Sequence, residues 1–317
     1  MMNKKVVVTV PGKVMLTGEY DILEKGIALA ATVNKKLTVA CEFSHGCQDY
    51  VQTELWDKPF TGDLGDSKKT FQQNLLLNTV RAAKKLYNCP YLFLSVESEL
   101  KPSFGFGSSS ALIMGVFSAV ASLSGQKLTN LEIARVSFEQ QKKWQKIASG
   151  YDFITQAQGG IVTVDLQKKA WPGDIHQVYG VEDRLNHFVH IFVGGKGAQT
   201  TTVAGSSYQW LIENSKMSVL QKTSRDLYTA FYNLIYEPTK TQFDELICQL
   251  IERTKAHRLI LEQMPMFPTQ ISKCLEGVEG KDKTWSYKTS GSGGEDALIV
   301  IGSLNEIYPI EKALQGL

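Results

Sequence analysis

The stretch Lys101-Pro-Ser-Phe-Gly-Phe-Gly-Ser-Ser-Ser110, running straight into the apolar segment Ala111–Leu123, carries the most structural information in the chain. Gly105 and Gly107 let backbone N–H groups approach a ligand closely. Three hydroxyls follow, and the segment after them is apolar nearly all round, which predicts a helix buried against a sheet. A helix start presents unpaired N–H groups and a partial positive charge, a combination suited to a polyphosphate. A serine hydroxyl there also suits magnesium, which prefers oxygen ligands. Read alone, the same residues fit an ordinary Gly/Ser turn with a helix cap equally well, because short glycine motifs are weak. Gly105-Phe-Gly107 lacks the third glycine of a dinucleotide fingerprint. Lys196 follows two glycines but precedes Gly197 rather than Ser or Thr, so a Walker A loop does not fit either.

Outward from this loop the chain alternates strand-like and helix-like segments. Lys5–Val10 is rich in valine and bounded by Pro11-Gly12, which predicts a strand ending in a turn. Ala28–Val33, Leu37–Phe43, Tyr50–Leu55 and Tyr91–Val96 are further strands, and Lys69–Tyr87 has the spacing of an amphipathic helix. Thr129 or Asn130 caps a helix running to about Ile147. Ile161–Asp165, His187–Val193 and Ala297–Ile301 read as strands. The polar stretch Gln167–Asp183, with Pro172-Gly173, reads as a connection between domains. Tyr208–Gln263 is mainly helical with a break near Pro238, and Ile307–Leu314 is a last helix.

With 317 residues the chain has room for two ordinary domains or one large one. Hydrophobic residues at 43% and charged residues at 21% permit a sizeable core. The formal net charge of +2 lacks the basic excess of a nucleic-acid-binding domain. The cysteines (Cys41, Cys47, Cys89, Cys248, Cys274) are odd in number and have no CxxC spacing, which favours free thiols in a reducing cytoplasm over disulfides or zinc. The histidines form no HExxH pattern. The apolar run near the N-terminus is too short for a signal peptide and leads directly into Pro11-Gly12-Lys13. No stretch approaches the length of a membrane span.

Two more segments stand out. Pro11-Gly-Lys-Val-Met-Leu-Thr-Gly-Glu-Tyr20 puts Lys13 and Glu19 at the ends of a short apolar strand; alone it reads as a hairpin with surface charges. Lys288-Thr-Ser-Gly-Ser-Gly-Gly-Glu-Asp296 precedes a buried strand, and its glycines cost backbone entropy. That cost fits close packing against a loop or ligand, or a flexible turn.

In this order the segments resemble the three signature motifs of the GHMP kinase family, whose members include mevalonate, phosphomevalonate, homoserine and galactose kinases. The first is similar to the family's PGK-x-x-L-x-GE stretch. The second is similar to its P-x-x-x-GLGSSAA phosphate loop, with Phe106 for leucine and Ser110 for the first alanine. The third is similar to its SGAGGGDC loop, with Glu295 and Asp296 shifting the pattern. Lys146-Ile-Ala-Ser-Gly-Tyr-Asp152, followed by Gly159-Gly160, resembles the SG-x-D stretch that carries the family's catalytic aspartate. Gly18-Glu-Tyr20 and the run Gly194–Thr202 look most like the phosphomevalonate kinase branch.

The resemblance implies an α/β (α+β) two-domain fold: a ribosomal-protein-S5-like domain over 1–175 with the phosphate loop, and a ferredoxin-like domain over 176–317. The active site would lie between them. It implies ATP and magnesium as cofactors and a small-molecule acceptor, with no nucleic-acid or membrane partner, in a cytoplasmic monomer or homodimer. Asp152 would be the base and Lys13 its catalytic partner. Pro102, Gly105, Phe106, Gly107, Ser108, Ser109 and Ser110 would hold the nucleotide. Ser109 would bind magnesium, with Glu139 the nearby acid where related kinases place a second ligand; Gln141 occupies the matching spacing. Glu19, Tyr20, Ser149, Gly150, Lys196, Thr200, Thr201, Ser290, Gly291 and Gly293 would contact the acceptor, and Lys101 and Lys146 are further cations beside these loops. The implied reaction is phosphomevalonate to diphosphomevalonate. Rivals are mevalonate, homoserine or sugar kinases, and a non-catalytic ATP-binding sensor, which Glu295 in place of a glycine keeps open.

Overall fold

Strand β1 (Val6–Thr17) does not stop at Pro11-Gly12, where a turn was expected. Among the described residues it pairs with β2 alone, so Pro11 sits on a sheet edge, where a residue without an N–H is tolerated. Residues 14–17 are buried and carry the strand onward. The computed structural model describes residues 5–54, 58–62, 71–102, 104–145, 147–167, 169–181, 185–193, 200–236, 242–265, 267, 273–275, 278, 284–293, 297–303 and 310.

The contacts group the chain into two units: residues 1–13, 32–102 and 107–159 form one, and residues 14–31, 103–106 and 160–317 the other. The expected division at 175/176 is a sequential cut. The observed grouping interleaves because β1 and β2 (Ile27–Phe43) each supply residues to both units.

In the first unit the sheet order is β4-β3-β5-β2, built from β3 (Asp49–Thr53), β4 (Phe60–Gly62), β5 (Leu92–Ser98) and the later half of β2. β3 and β5 run parallel; the other neighbours are antiparallel. Helix α1 (Phe71–Leu86) packs on α2 (Ser108–Leu123). Helix α2 is buried along most of its length, as its composition dictates. A Cβ on Gly115 would lie 2.7 Å from Val39 Cγ2, so the helix backbone sits hard against β2. Helix α3 (Asn130–Gln141) starts with a capping box in which Thr129 and Glu132 satisfy each other's end groups. It ends at Gln141, short of Ile147, in a turn. Helix α4 (Tyr151–Gln158), not anticipated from the sequence, packs against α2 and α3.

In the second unit, Ile27–Ala31 of β2 pairs antiparallel with β6 (Ile161–Asp165), and β6 with β7 (Asp174–Val178). The polar stretch read as a connection therefore contains an edge strand. A separate antiparallel sheet has the order β8-β10-β9, from β8 (Val189–Val193), β9 (Trp285–Thr289) and β10 (Ala297–Gly302). Helices α5 (Thr200–Glu213), α6 (Met217–Tyr236) and α7 (Phe243–Leu261) belong to the same unit, with α6 packed on α7 and α7 on β9. Its core gathers Leu211, Leu220, Leu261, Tyr287, Leu298 and Val300. The fold is mixed α/β, as expected. The expected helix over 307–314 falls outside the described residues except for Ile310. No helix among the described residues is long and apolar enough to cross a membrane.

Candidate active site

The start of α2 is built around Gly107, its N-cap, which has φ 69° and offers no side-chain cap. The first bond into the helix runs from the Ala111 N–H to the Gly107 carbonyl at 2.9 Å. The amides of Ser108, Ser109 and Ser110 thus have no partner within the helix. Ser110 is buried and turns its hydroxyl back to the Gly107 carbonyl at 2.9 Å. Ser109 is exposed and Ser108 half-buried. Just before them, Gly105 has φ 67° and Phe106 is buried, packed edge-to-face with Phe104; Pro102 and Lys101 are exposed.

Lys13 lies over this helix start. A Cβ on Gly107 would stand 2.9 Å from Lys13 Cε and 3.1 Å from its Cγ. Glycine is required there twice over, by the left-handed backbone and by the lysine stem. The Lys13 ammonium donates to the Tyr151 hydroxyl at 2.7 Å and sits 4.9 Å from that ring's centre. Tyr151 opens α4 after Gly150, another left-handed N-cap, and Asp152 follows in the first turn, half-buried. A carboxylate is favoured at that end of a helix dipole. Four residues on, Gln156 donates from Nε2 to the Pro11 carbonyl at 3.0 Å and to the Gly107 carbonyl at 3.1 Å. One neighbourhood therefore contains Lys13, the helix start at Gly107–Ser110 and the α4 turn with Gly150 and Asp152; Ser149, half-buried, precedes it.

This arrangement fits a phosphate chain: amides without a partner in the helix, a helix dipole and an ammonium converge, and the glycine leaves room that a Cβ would fill. Magnesium fits through an oxygen donor, the exposed Ser109 hydroxyl. Glu139 is exposed on α3 and its carboxylate is paired with Lys142 at 2.7 Å, while Gln141 bonds Gln145 at 3.2 Å. Among the described residues no cluster of three or more His, Cys, Asp or Glu could hold a metal. A bound ion would rest on Ser109, phosphate oxygens and water.

A second constellation belongs to the other unit. Glu19 is fully buried; its Oε1 accepts from the Lys288 ammonium, and its Oε2 faces His257 Nε2 at 3.3 Å. His257 Nδ1 in turn meets the Thr223 hydroxyl at 3.0 Å. Burial pushes the Glu19 carboxyl up, but Lys288 and His257 outweigh it and hold the group below its usual range. Burial presses Lys288 below the usual lysine range, with Glu19 opposing. The Glu19 carboxylate and the Thr289 carbonyl at 2.8 Å surround the ammonium, which favours the charged form.

Gly18, with φ 113°, lets β1 end against β2; a Cβ there would be 2.6 Å from Ala28 Cα. Tyr20 is buried and donates to the Ser292 carbonyl at 2.6 Å, and the Met15 amide donates to Ser290 Oγ at 2.8 Å. The first motif thereby holds the loop of Ser290, Gly291 and Gly293. Beside that loop is a small cleft lined by Tyr20, Leu261, Met264, Phe267 and Gly291 among others. Thr200 and Thr201 lie on α5, where their side chains are not described. Lys146, Lys196, Glu295 and Asp296 fall outside the described residues. Tyr151, Gln156 and His257 were not singled out from sequence, and Lys288 was quoted without a role. The signal for Gln156 was its spacing of four from Asp152, which shares a helix face.

Residues 74–160 match the GHMP kinases N terminal domain. The chain is 26% identical to the mevalonate kinase of Thermococcus gammatolerans over 176 residues, 52% of this chain and 53% of that one. It spans about half the length of the curated relatives it matches. The Methanococcus jannaschii mevalonate kinase structure aligns with a TM-score of 0.74 at 16% identity, covering 99% of this chain and 95% of that one. The Streptococcus pneumoniae phosphomevalonate kinase, in complex with phosphomevalonate and AMPPNP, aligns with a TM-score of 0.75 at 16% identity, covering 98% and 96%. At such identity the likeness is one of fold, and the fold is the mixed α/β fold of the GHMP kinase structures. The domain match covers residues 74–160, and the mevalonate kinases are similar to this chain over about half of its length.

Proposed function

We propose that the chain is an ATP-dependent phosphotransferase acting on a small hydroxylated acid of the mevalonate pathway, with phosphomevalonate as acceptor. The observation that carries this is the uncapped start of α2 beneath the Lys13 stem, with Asp152 one residue from the tyrosine that anchors the Lys13 ammonium. Phosphoryl transfer asks mainly for positioning and charge neutralisation. The amides of Ser108–Ser110 hold the phosphate tail, and Lys13 offsets charge on the group in transfer. Asp152 accepts the proton of the attacking hydroxyl. Magnesium, when bound, would neutralise phosphate charge, with Ser109 as its protein ligand.

The phosphomevalonate acceptor rests on Gly18-Glu-Tyr20 and on Lys196 within Gly194–Thr202. Tyr20 serves the Ser292 carbonyl, so it acts on the acceptor through the shape of the third loop. A second reading, mevalonate itself as acceptor, is favoured by the names of the curated relatives. The test is ADP release from Mg-ATP in the presence of mevalonate, phosphomevalonate, homoserine or galactose. Acceptor-dependent ADP release with phosphomevalonate is expected. Release with mevalonate alone transfers the assignment to the second reading. Nucleotide binding with no release from any acceptor replaces the kinase by a sensor.

A further inference from the structure

We propose that Gln156 is a positioning residue that sets the start of α2 against the Lys13 strand; this rests on the reading of that helix start as the phosphate site. Gln156 is 5% exposed and lies on α4, one turn beyond Asp152. Both bonds leave from Nε2, which has two hydrogens to give. Its Oε1 is buried without a hydrogen-bond partner among the described residues. Flipping the amide would set that oxygen against two carbonyls, so the donor end is fixed inward.

The two acceptors belong to segments far apart in sequence. Pro11 lies two residues before Lys13 on β1, and two residues along a strand return to the same face. Gly107 is the N-cap of α2. Its carbonyl collects three donors: the Ala111 amide, the Ser110 hydroxyl and Gln156. In a planar trans peptide, fixing the Gly107 carbonyl inward fixes the Ser108 N–H in the opposite direction. One amide therefore aims the first phosphate donor and holds the strand of Lys13, from the helix that also carries Asp152. A buried amide that merely filled space would have no need to bridge these two carbonyls.

The experiment titrates a non-hydrolysable ATP analogue with magnesium into the wild type, Gln156→Met and Gln156→Glu, with thermal unfolding of each. Thr155→Val serves as the structural control. Thr155 is buried on the same helix, and its hydroxyl donates back to the Tyr151 carbonyl at 2.9 Å. Losing two hydrogen bonds predicts affinity about tenfold or more weaker in Gln156→Met. Gln156→Glu is weaker still, because a carboxylate repels both carbonyls. Thr155→Val keeps wild-type affinity while losing stability. Either Gln156 variant binding within about twofold of wild type overturns the proposal. So does an equal loss of affinity in Thr155→Val. If one Gln156 variant fails to fold, the other decides. A wild type that binds no analogue ends the phosphate-site reading itself, which is a different failure.

Discussion

Replacing Lys288 by methionine removes one charge of a pair enclosed within the second unit. The Glu19 side chain is 0% exposed and that of Lys288 is 1%, so water screens neither. The variant leaves the Glu19 carboxylate with His257 alone. Breaking one side of a buried pair costs about 3–5 kcal/mol, because the remaining charge stays desolvated. That is a large share of the roughly 5–15 kcal/mol that separates folded from unfolded domains. The pH dependence should change sign as well. In the wild type the Glu19 pKa is lowered on folding, so its ionisation supports the fold above the unfolded value of about 4.3. That support is lost as pH falls through the lowered folded value. In Lys288→Met burial dominates and the folded pKa rises above the unfolded one. The folded state then holds the proton longer, and stability falls as pH rises from about 4.3. Urea denaturation at about pH 5 and about pH 8, followed by tryptophan fluorescence, reads both effects, since Trp285 lies in the same core. Adding Glu19→Gln to Lys288→Met should recover part of the loss, because no charge then remains unpaired. A cost of less than about 1 kcal/mol, or a double variant as unstable as the sum of the singles, would refute the reasoning.

Three shorter predictions accompany this one. Asp152→Asn should abolish ADP release while the nucleotide still binds by calorimetry; near-normal turnover would remove Asp152 from the base role. Gly107→Ala places a non-glycine residue at φ 69° with a Cβ 2.9 Å from Lys13 Cε. Left-handed strain of about 1–2 kcal/mol together with a displaced lysine should raise the KM for ATP by about tenfold or more, and an unchanged KM would count against the cradle. A maleimide should label the exposed Cys47 and Cys248 and spare Cys41, which is buried and whose thiol burial pushes up to about 12. Mass spectrometry of the native protein checks this, and labelling of Cys41 as fast as Cys47 would contradict it.

Segments with a single dominant signal were legible in the sequence. Helix α2 is apolar nearly all round, and strands β6 and β10 are short apolar runs between turn residues, so burial alone identifies them. The glycines and serines at 105–110 announced a helix start that could receive phosphate. Features set by a remote partner were not legible. Pro11 looked like a strand end because its tolerance depends on β1 pairing, among the described residues, with β2 alone. The alternating polar residues of β7 looked like a linker because an edge strand needs no apolar run. Glu19 was read as an acceptor contact or a surface charge, the ordinary place for a glutamate. Its burial as a carboxylate is supported by Lys288, 269 residues later, and by His257. Gln156 is the same case: an amide on a short helix has no meaning in sequence until two carbonyls, 145 and 49 residues away, converge on its nitrogen. A buried polar group must find a partner, and the partner is chosen by the fold. Chemistry-bearing loops are therefore readable from composition, whereas the residues that aim them become readable only once their hydrogen bonds are traced.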